Sequence, residues 1–138
     1  MDRVSRFARS KMMASIRSRN NRTTERLVAS GLRRARVTGW RRHTALPGTP
    51  DFTFASSRVV IFVNGCFWHG CRRCKLGHRP KSHVGYWIPK IERTKRRDVR
   101  VRRELHRRGY RTLVIWEHEL KKEGWLQRLL GQLKKASR

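Results

Sequence analysis

The stretch Pro47-Gly48-Thr49-Pro50-Asp51-Phe52-Thr53-Phe54-Ala55-Ser56-Ser57-Arg58-Val59-Val60-Ile61-Phe62-Val63-Asn64 decides how this chain folds. Leu46 through Pro50 form a rigid loop that must end any preceding helix. Two short β-rich runs follow, Asp51–Phe54 and Arg58–Val63, separated by Ala55-Ser56-Ser57, and they read as an antiparallel hairpin. With the turn centred on Ser56–Ser57, paired positions sum to about 113 or 114, so Asp51 falls beside Phe62 or Val63. The Asp51 carboxylate and the Val63 carbonyl could then share one hard cation. Mg²⁺ suits such a site, because it keeps several waters and needs only one or two protein carboxylates beside phosphate oxygens. Asp51 is the only acid between residues 26 and 91. A plainer reading competes: an Asp here can cap a turn or pair with a neighbouring Arg.

Working outward, Thr23 or Thr24 can cap a helix running to about Arg36, with Glu25 in its first turn and Leu27, Leu32 and Ala35 as apolar positions. Residues 1–22 are basic and polar, with Phe7, Met12, Met13 and Ile16 at loosely helical spacing, and read as an arm carrying a short helix. Downstream, residues 64–86 show no periodicity and need an organiser other than a core. Pro89 suits the first turn of a helix that continues to about Arg108 and stops at Gly109. Tyr110–Trp116 is a β-rich run, and Leu126, Leu129, Leu130 and Leu133 mark one face of a closing amphipathic helix. The order α–β–β–α–β–α predicts an α/β sandwich on a small mixed sheet flanked by helices. The expected organisation is a basic arm, 1–22, and a single domain, 23–138.

Charge narrows the function. Lys and Arg number 36 against 9 Asp and Glu, a formal charge of +27 that requires an anionic partner. Ten of these cations lie between Arg93 and Arg111, opposed by Asp98 and Glu104 alone. Nucleic acid is the leading partner, and a binder of ribosomal or chromatin type that does no chemistry is the bland alternative. At 37% hydrophobic residues, with five Trp and five Phe, the chain has material for a core. No apolar run approaches the roughly 20 residues that cross a bilayer. The basic start lacks the apolar stretch of a signal peptide, so a cytoplasmic location is expected.

All three cysteines lie in Cys66-x4-Cys71-x2-Cys74, a spacing that favours a zinc site in a reducing compartment over disulfides. The fourth donor is open among His69, His78, His83 and His118. A bound metal would explain how an irregular cationic loop stays folded. His69 sits inside the cluster, so ligand and catalytic base are both open readings for it. Phe67, Trp68 and Trp87 occur in otherwise basic and polar segments. They read either as core or as wedges that unstack base steps.

Several of these strings together resemble the Vsr very-short-patch repair endonucleases. They are Pro47-Gly48-Thr49-Pro50-Asp51-Phe52, Val60-Ile61-Phe62-Val63-Asn64-Gly65-Cys66-Phe67-Trp68-His69-Gly70-Cys71, Tyr86-Trp87-Ile88-Pro89-Lys90-Ile91, Arg97-Asp98 and Val114-Ile115-Trp116-Glu117-His118. Arg9-Ser10-Lys11-Met12-Met13 is similar to the family's N-terminal arm, and the resemblance spans roughly residues 9–120. It implies a restriction-endonuclease-like three-layer sandwich with a zinc-stabilised loop. The implied activity is Mg²⁺-dependent nicking of one strand 5′ to the T of a T:G mismatch, the product of 5-methylcytosine deamination. By position, the resemblance implies that Asp51 binds Mg²⁺ with the Val63 carbonyl, that Glu25 orients water at the metal, and that His69 is the general base or proton shuttle. Phe67, Trp68 and Trp87 would enter at the mismatch from the major groove and Met13 from the minor groove, with Lys90 and Arg97 among the DNA contacts. Zinc would take Cys66, Cys71, Cys74 and His118. Such an enzyme is expected to be a bacterial, cytoplasmic monomer on mismatched double-stranded DNA, with other repair proteins as possible partners. One departure stands out: position 64 is Asn, where relatives often carry His or Asp, and an amide cannot accept a catalytic proton. A same-fold nickase of restriction or phage defence, and a zinc-stabilised DNA-binding module weakened by Asn64, are the competing readings.

Overall fold

The computed structural model describes residues 23–66 and 84–137. Its centre is the hairpin of β2 (Phe52–Phe54) and β3 (Val59–Asn64), antiparallel with Phe52 opposite Ile61, Thr53 opposite Val60 and Phe54 opposite Val59. This is the lower of the two expected pairing sums. The turn between them ends at Arg58, whose φ of 56° lies in the left-handed region. The Arg58 carbonyl accepts from the Arg111 N–H at 2.9 Å. That bond opens the pairing of β4 (Arg111–Trp116) alongside β3, parallel, from Val59 opposite Arg111 to Asn64 opposite Trp116. A strand paired on both edges reads as a continuous apolar run because both faces are covered, and Val59-Val60-Ile61-Phe62-Val63 is one.

A fourth strand was absent from the expected order. β1 (Trp40–Arg42) lies antiparallel on the outer edge of β2, with Trp40 opposite Phe54 and Arg42 opposite Phe52, so the sheet runs β1-β2-β3-β4. Three residues, two of them arginines, carry no alternation signal. The charges suit an edge, where they discourage further strand pairing. Trp40 anchors the strand: its ring meets Phe52 edge-on at 5.4 Å and its Nε1 donates to the Val37 carbonyl at 2.9 Å.

Alternation assigns the faces. Phe52 and Phe54, Val59, Ile61 and Val63, and Ile115 point to one side, where they pack with Val28, Ala29 and Leu32 of α1 (residues 23–34) and with Leu129 and Leu133 of α3 (Trp125–Ala136). Fully burying such side chains is worth about 1.5–3 kcal/mol each. On the opposite side, Phe62 and Val101 both approach Gly48, which brings α2 (Val84–Arg107) over that face. A Cβ on Gly48 would lie 2.5 Å from Val101 Cγ1, and its φ of 75° is one that L side chains rarely adopt. Glycine is thus required where the Leu46–Pro50 loop passes under α2.

α1 and α2 end alike. Val37 N–H bonds back to the Leu32 carbonyl and Arg36 N–H to Arg33; Tyr110 bonds back to Leu105 and Gly109 to His106. Both are left-handed helix stops, with Arg36 (φ 58°) doing in the first what Gly109 (φ 88°) does in the second. The expected start of α2 is corrected. The helix begins at Val84, and Pro89 lies inside it rather than in its first turn. Pro89 is the sixth residue of the helix, past the four N–H groups that a helix start leaves unpaired, so the helix forgoes the bond that an N–H there would give to the Gly85 carbonyl.

Candidate active site

Strand register assembles the site. β1 and β2 pair so that the position after Arg42 falls opposite the position before Phe52, which sets His43 against Asp51. The register of β2 and β3 sets Asp51 opposite Phe62, and its carboxyl group reaches one residue further, where the Val63 N–H donates to Oδ2 at 2.6 Å. From below, the first turn of α1 presents Glu25, a buried side chain. Glu25 Oε2 accepts from Arg42 Nη2 at 2.6 Å and lies 3.0 Å from His43 Nε2. His43 Nε2 is also 4.0 Å from Asp51 Oδ1. The three ligand atoms of Glu25, His43 and Asp51 all lie within 4.8 Å of one another. A hydrogen bond of 2.8 Å between the Thr44 and Thr53 hydroxyls ties down the chain just past His43.

The two carboxyl groups titrate in opposite directions. Burial, reinforced by hydrogen bonding and charge from Glu25, pushes Asp51 up to about 8, against the pull of the Val63 N–H and Arg42. Burial also works to raise Glu25, but hydrogen bonds with Asp51, Arg42 and His43 outweigh it and hold Glu25 below the usual carboxylate range. Near neutrality the pair therefore holds one proton between two acids. A divalent cation would take that proton's place, which is the electrostatic signature of a cation-binding corner.

The second cluster lies just past the same, C-terminal end of the parallel pair β3 and β4. Because Asn64 is level with Trp116, the chain just past β3 meets the chain just past β4. Cys66 Sγ and His118 Nδ1 are 3.3 Å apart, and the buried Cys66 donates its N–H to Glu117 Oε1 at 3.1 Å. Glu117 and His118 lie in a 3₁₀ turn, Glu117–Lys121, that follows β4 directly. Asn64 itself is buried.

Of the expected DNA contacts, Trp87 is half-buried and meets Tyr86 edge-on at 5.2 Å, while Lys90 Nζ sits 4.9 Å above the Tyr86 ring. Arg97 is exposed on α2. Met13, Phe67, Trp68, His69, Cys71 and Cys74 lie outside the described residues. Sequence reasoning missed Arg42 and His43. Their signal was available only through β1: once that strand is placed against β2, antiparallel pairing puts residue 43 opposite Asp51.

A family profile described as DNA mismatch endonuclease Vsr matches residues 1–76. The type II nicking enzyme V.XorIIP of Xanthomonas oryzae is 43% identical over 132 residues, 96% of each chain. The DNA mismatch endonuclease Vsr of Escherichia coli is 37% identical over 113 residues, 82% of this chain and 71% of its own. The type II nicking enzyme V.NmeAIP of Neisseria meningitidis is 38% identical over 93 residues, 64% and 66% of the two chains. With 96% of the chain aligned to the Xanthomonas protein, the similarity runs beyond residue 120 and into α3. On this similarity and on the acidic corner that its sheet builds, the chain belongs to the Vsr family of DNA mismatch endonucleases and is a DNA endonuclease.

Proposed function

We propose that this enzyme nicks one strand of duplex DNA 5′ to the T of a T:G mismatch by Mg²⁺-dependent hydrolysis. It would act as a bacterial, cytoplasmic monomer whose basic arm, 1–22, and single restriction-endonuclease-like three-layer domain, 23–138, grip the DNA. The observation that carries the reading is the convergence of Asp51, Glu25 and the Val63 backbone at one corner of the sheet. Two carboxyl groups held together with one proton fit a hard divalent cation. Asp51 and the Val63 carbonyl would hold Mg²⁺. The chemistry supplied by the bound ion is stabilisation of negative charge on the scissile phosphate and the leaving oxygen.

The chain's own groups do the rest. Glu25, locked by Arg42, orients the attacking water, and His69 takes up or relays its proton. Asn64 contributes a hydrogen-bond donor and no base. Phe67, Trp68 and Trp87 enter the stack from the major groove and Met13 from the minor groove, while Lys90 and Arg97 contact the DNA. Opening a weakened pair is cheaper than opening a matched one, which gives the mismatch preference its energy.

Cys66, Cys71, Cys74 and His118 would hold a structural zinc. The 3.3 Å between Cys66 Sγ and His118 Nδ1 fits two soft donors on a tetrahedral ion, whose ligand atoms stand about 3.5 Å apart. Bound zinc would supply folding energy to the Cys66–Cys74 loop.

A panel of duplexes carrying T:G, U:G or no mismatch, with Mg²⁺ and with EDTA, tests the reading. Nicking confined to mismatched duplexes and abolished by EDTA is expected. Equal cutting of matched DNA would favour a nickase of restriction or defence, a reading that the names of the Xanthomonas and Neisseria relatives keep in play.

A further inference from the structure

The reading of the Asp51 corner as a cation site leaves one neighbour without a role. His43 follows β1 directly and adopts φ 50°, a left-handed conformation that costs a non-glycine residue energy. Register alone would set it opposite Asp51, and the left-handed backbone carries its Nε2 to 3.0 Å from Glu25 and 4.0 Å from Asp51. Its side chain is 51% exposed, against 11% for Glu25, so the ring forms the open wall of the corner. The Glu25 oxygen it faces already holds the Arg42 guanidinium at 2.6 Å. Glu25 therefore keeps a partner when Nε2, which donates to it here, sheds its hydrogen and offers a lone pair to a cation. Ligand atoms opposed on an octahedral ion with bonds of 2.0–2.1 Å stand about 4 Å apart, the spacing of His43 Nε2 and Asp51 Oδ1.

We propose that His43 is a nitrogen ligand of the catalytic cation, adding an imidazole to the Asp51 carboxylate and so giving this site a preference for Mn²⁺ or Co²⁺ over Mg²⁺. The inference rests on the reading of the Asp51 corner as the metal site. Imidazole suits first-row transition ions, whereas Mg²⁺ is served by oxygen donors and water. The preference is thus set by one residue beside a strand end.

The test needs no catalysis. Mn²⁺ is titrated into the full chain and its binding followed by electron paramagnetic resonance, with ¹⁴N electron spin-echo modulation as the signature of a coordinated imidazole. That modulation is expected in the parent protein and is expected to vanish in His43→Gln, which still binds Mn²⁺ through Asp51 about tenfold more weakly. Mg²⁺ affinity, measured by competition, should change less than about twofold. Persistence of the ¹⁴N signal in His43→Gln, its absence from the parent protein, or an equal loss of Mn²⁺ and Mg²⁺ affinity would overturn it. Asp51→Asn separates the two claims. If that variant binds Mn²⁺ as the parent does, the reading of the corner is wrong. If it loses Mn²⁺ while His43→Gln changes nothing, only the role of His43 falls.

Discussion

Asp51 is a carboxyl group kept from ionising by its own neighbourhood. Burial and the nearby Glu25 push it up to about 8, while Glu25, held by Arg42 and His43, stays ionised below the ordinary range. An acid raised in the folded state favours folding fully below its unfolded value near 3.8, and loses that contribution as pH rises through about 8. Glu25 works in the opposite sense: its contribution is present above 4.5 and is lost as the pH falls through its depressed folded value. Without metal, the melting temperature is therefore expected to fall between about pH 5 and pH 8 relative to an Asp51→Asn variant, which has no such proton to lose. On the proposed function, Mg²⁺ bound at this corner would displace the Asp51 proton, so its half-saturating concentration should fall about tenfold per pH unit up to pH 8 and then level. Metal titrations of the nicking rate between pH 6 and 9 check this. A flat profile would show that the proton is not held at Asp51.

At the scale of elements, the site is made by strand ends and the loops that aim them. The Leu46–Pro50 loop delivers Asp51, and Gly48 lets it pass beneath Val101 of α2. Gly48→Ala should cost about 1–3 kcal/mol of stability, from the positive φ and from the crowded Val101 methyl. Urea unfolding measures it, and a shift below about 0.5 kcal/mol would mean that α2 yields easily there. Past β3 and β4, Cys74→Ser should release zinc and lower the melting temperature if zinc organises the loop. Unchanged zinc content would contradict that role. The hairpin was legible in advance because Phe52–Phe54 and Val59–Val63 bury every residue but Phe62, and because a lone acid after Pro50 stood out. β1 was not legible. Trp40-Arg41-Arg42 is too short and too charged to show a period, and with it went Arg42 and His43, which only strand pairing brings to Glu25 and Asp51. The early start of α2 was hidden for a similar reason, since Pro89 is a better helix opener than anything before it.

The whole molecule is dominated by its positive charge. On α2, Arg93, Arg96, Arg97, Arg100 and Arg103 are exposed on the side away from Ile91 and Leu105, which are buried. An arginine row of this kind matches the phosphate backbone more readily than any base edge, and contributes affinity without sequence information. Replacing Arg97 and Arg100 with Gln should reduce the slope of log affinity against log salt by about 2, equally for matched and mismatched duplexes. An unchanged slope would place the DNA on another face. Trp68→Ala, by contrast, should narrow the gap between T:G and matched affinity while leaving the slope alone. A uniform loss of stability would return that residue to the core.

The most direct test of the central claim, that the Asp51 corner is where the phosphodiester bond is cut, is single-turnover nicking of a T:G duplex by Asp51→Asn in saturating Mg²⁺. The expected rate is at least about a hundredfold below that of the parent enzyme, with duplex affinity within about threefold. A variant that nicks within tenfold of the parent rate would contradict it and move the chemistry elsewhere on the protein.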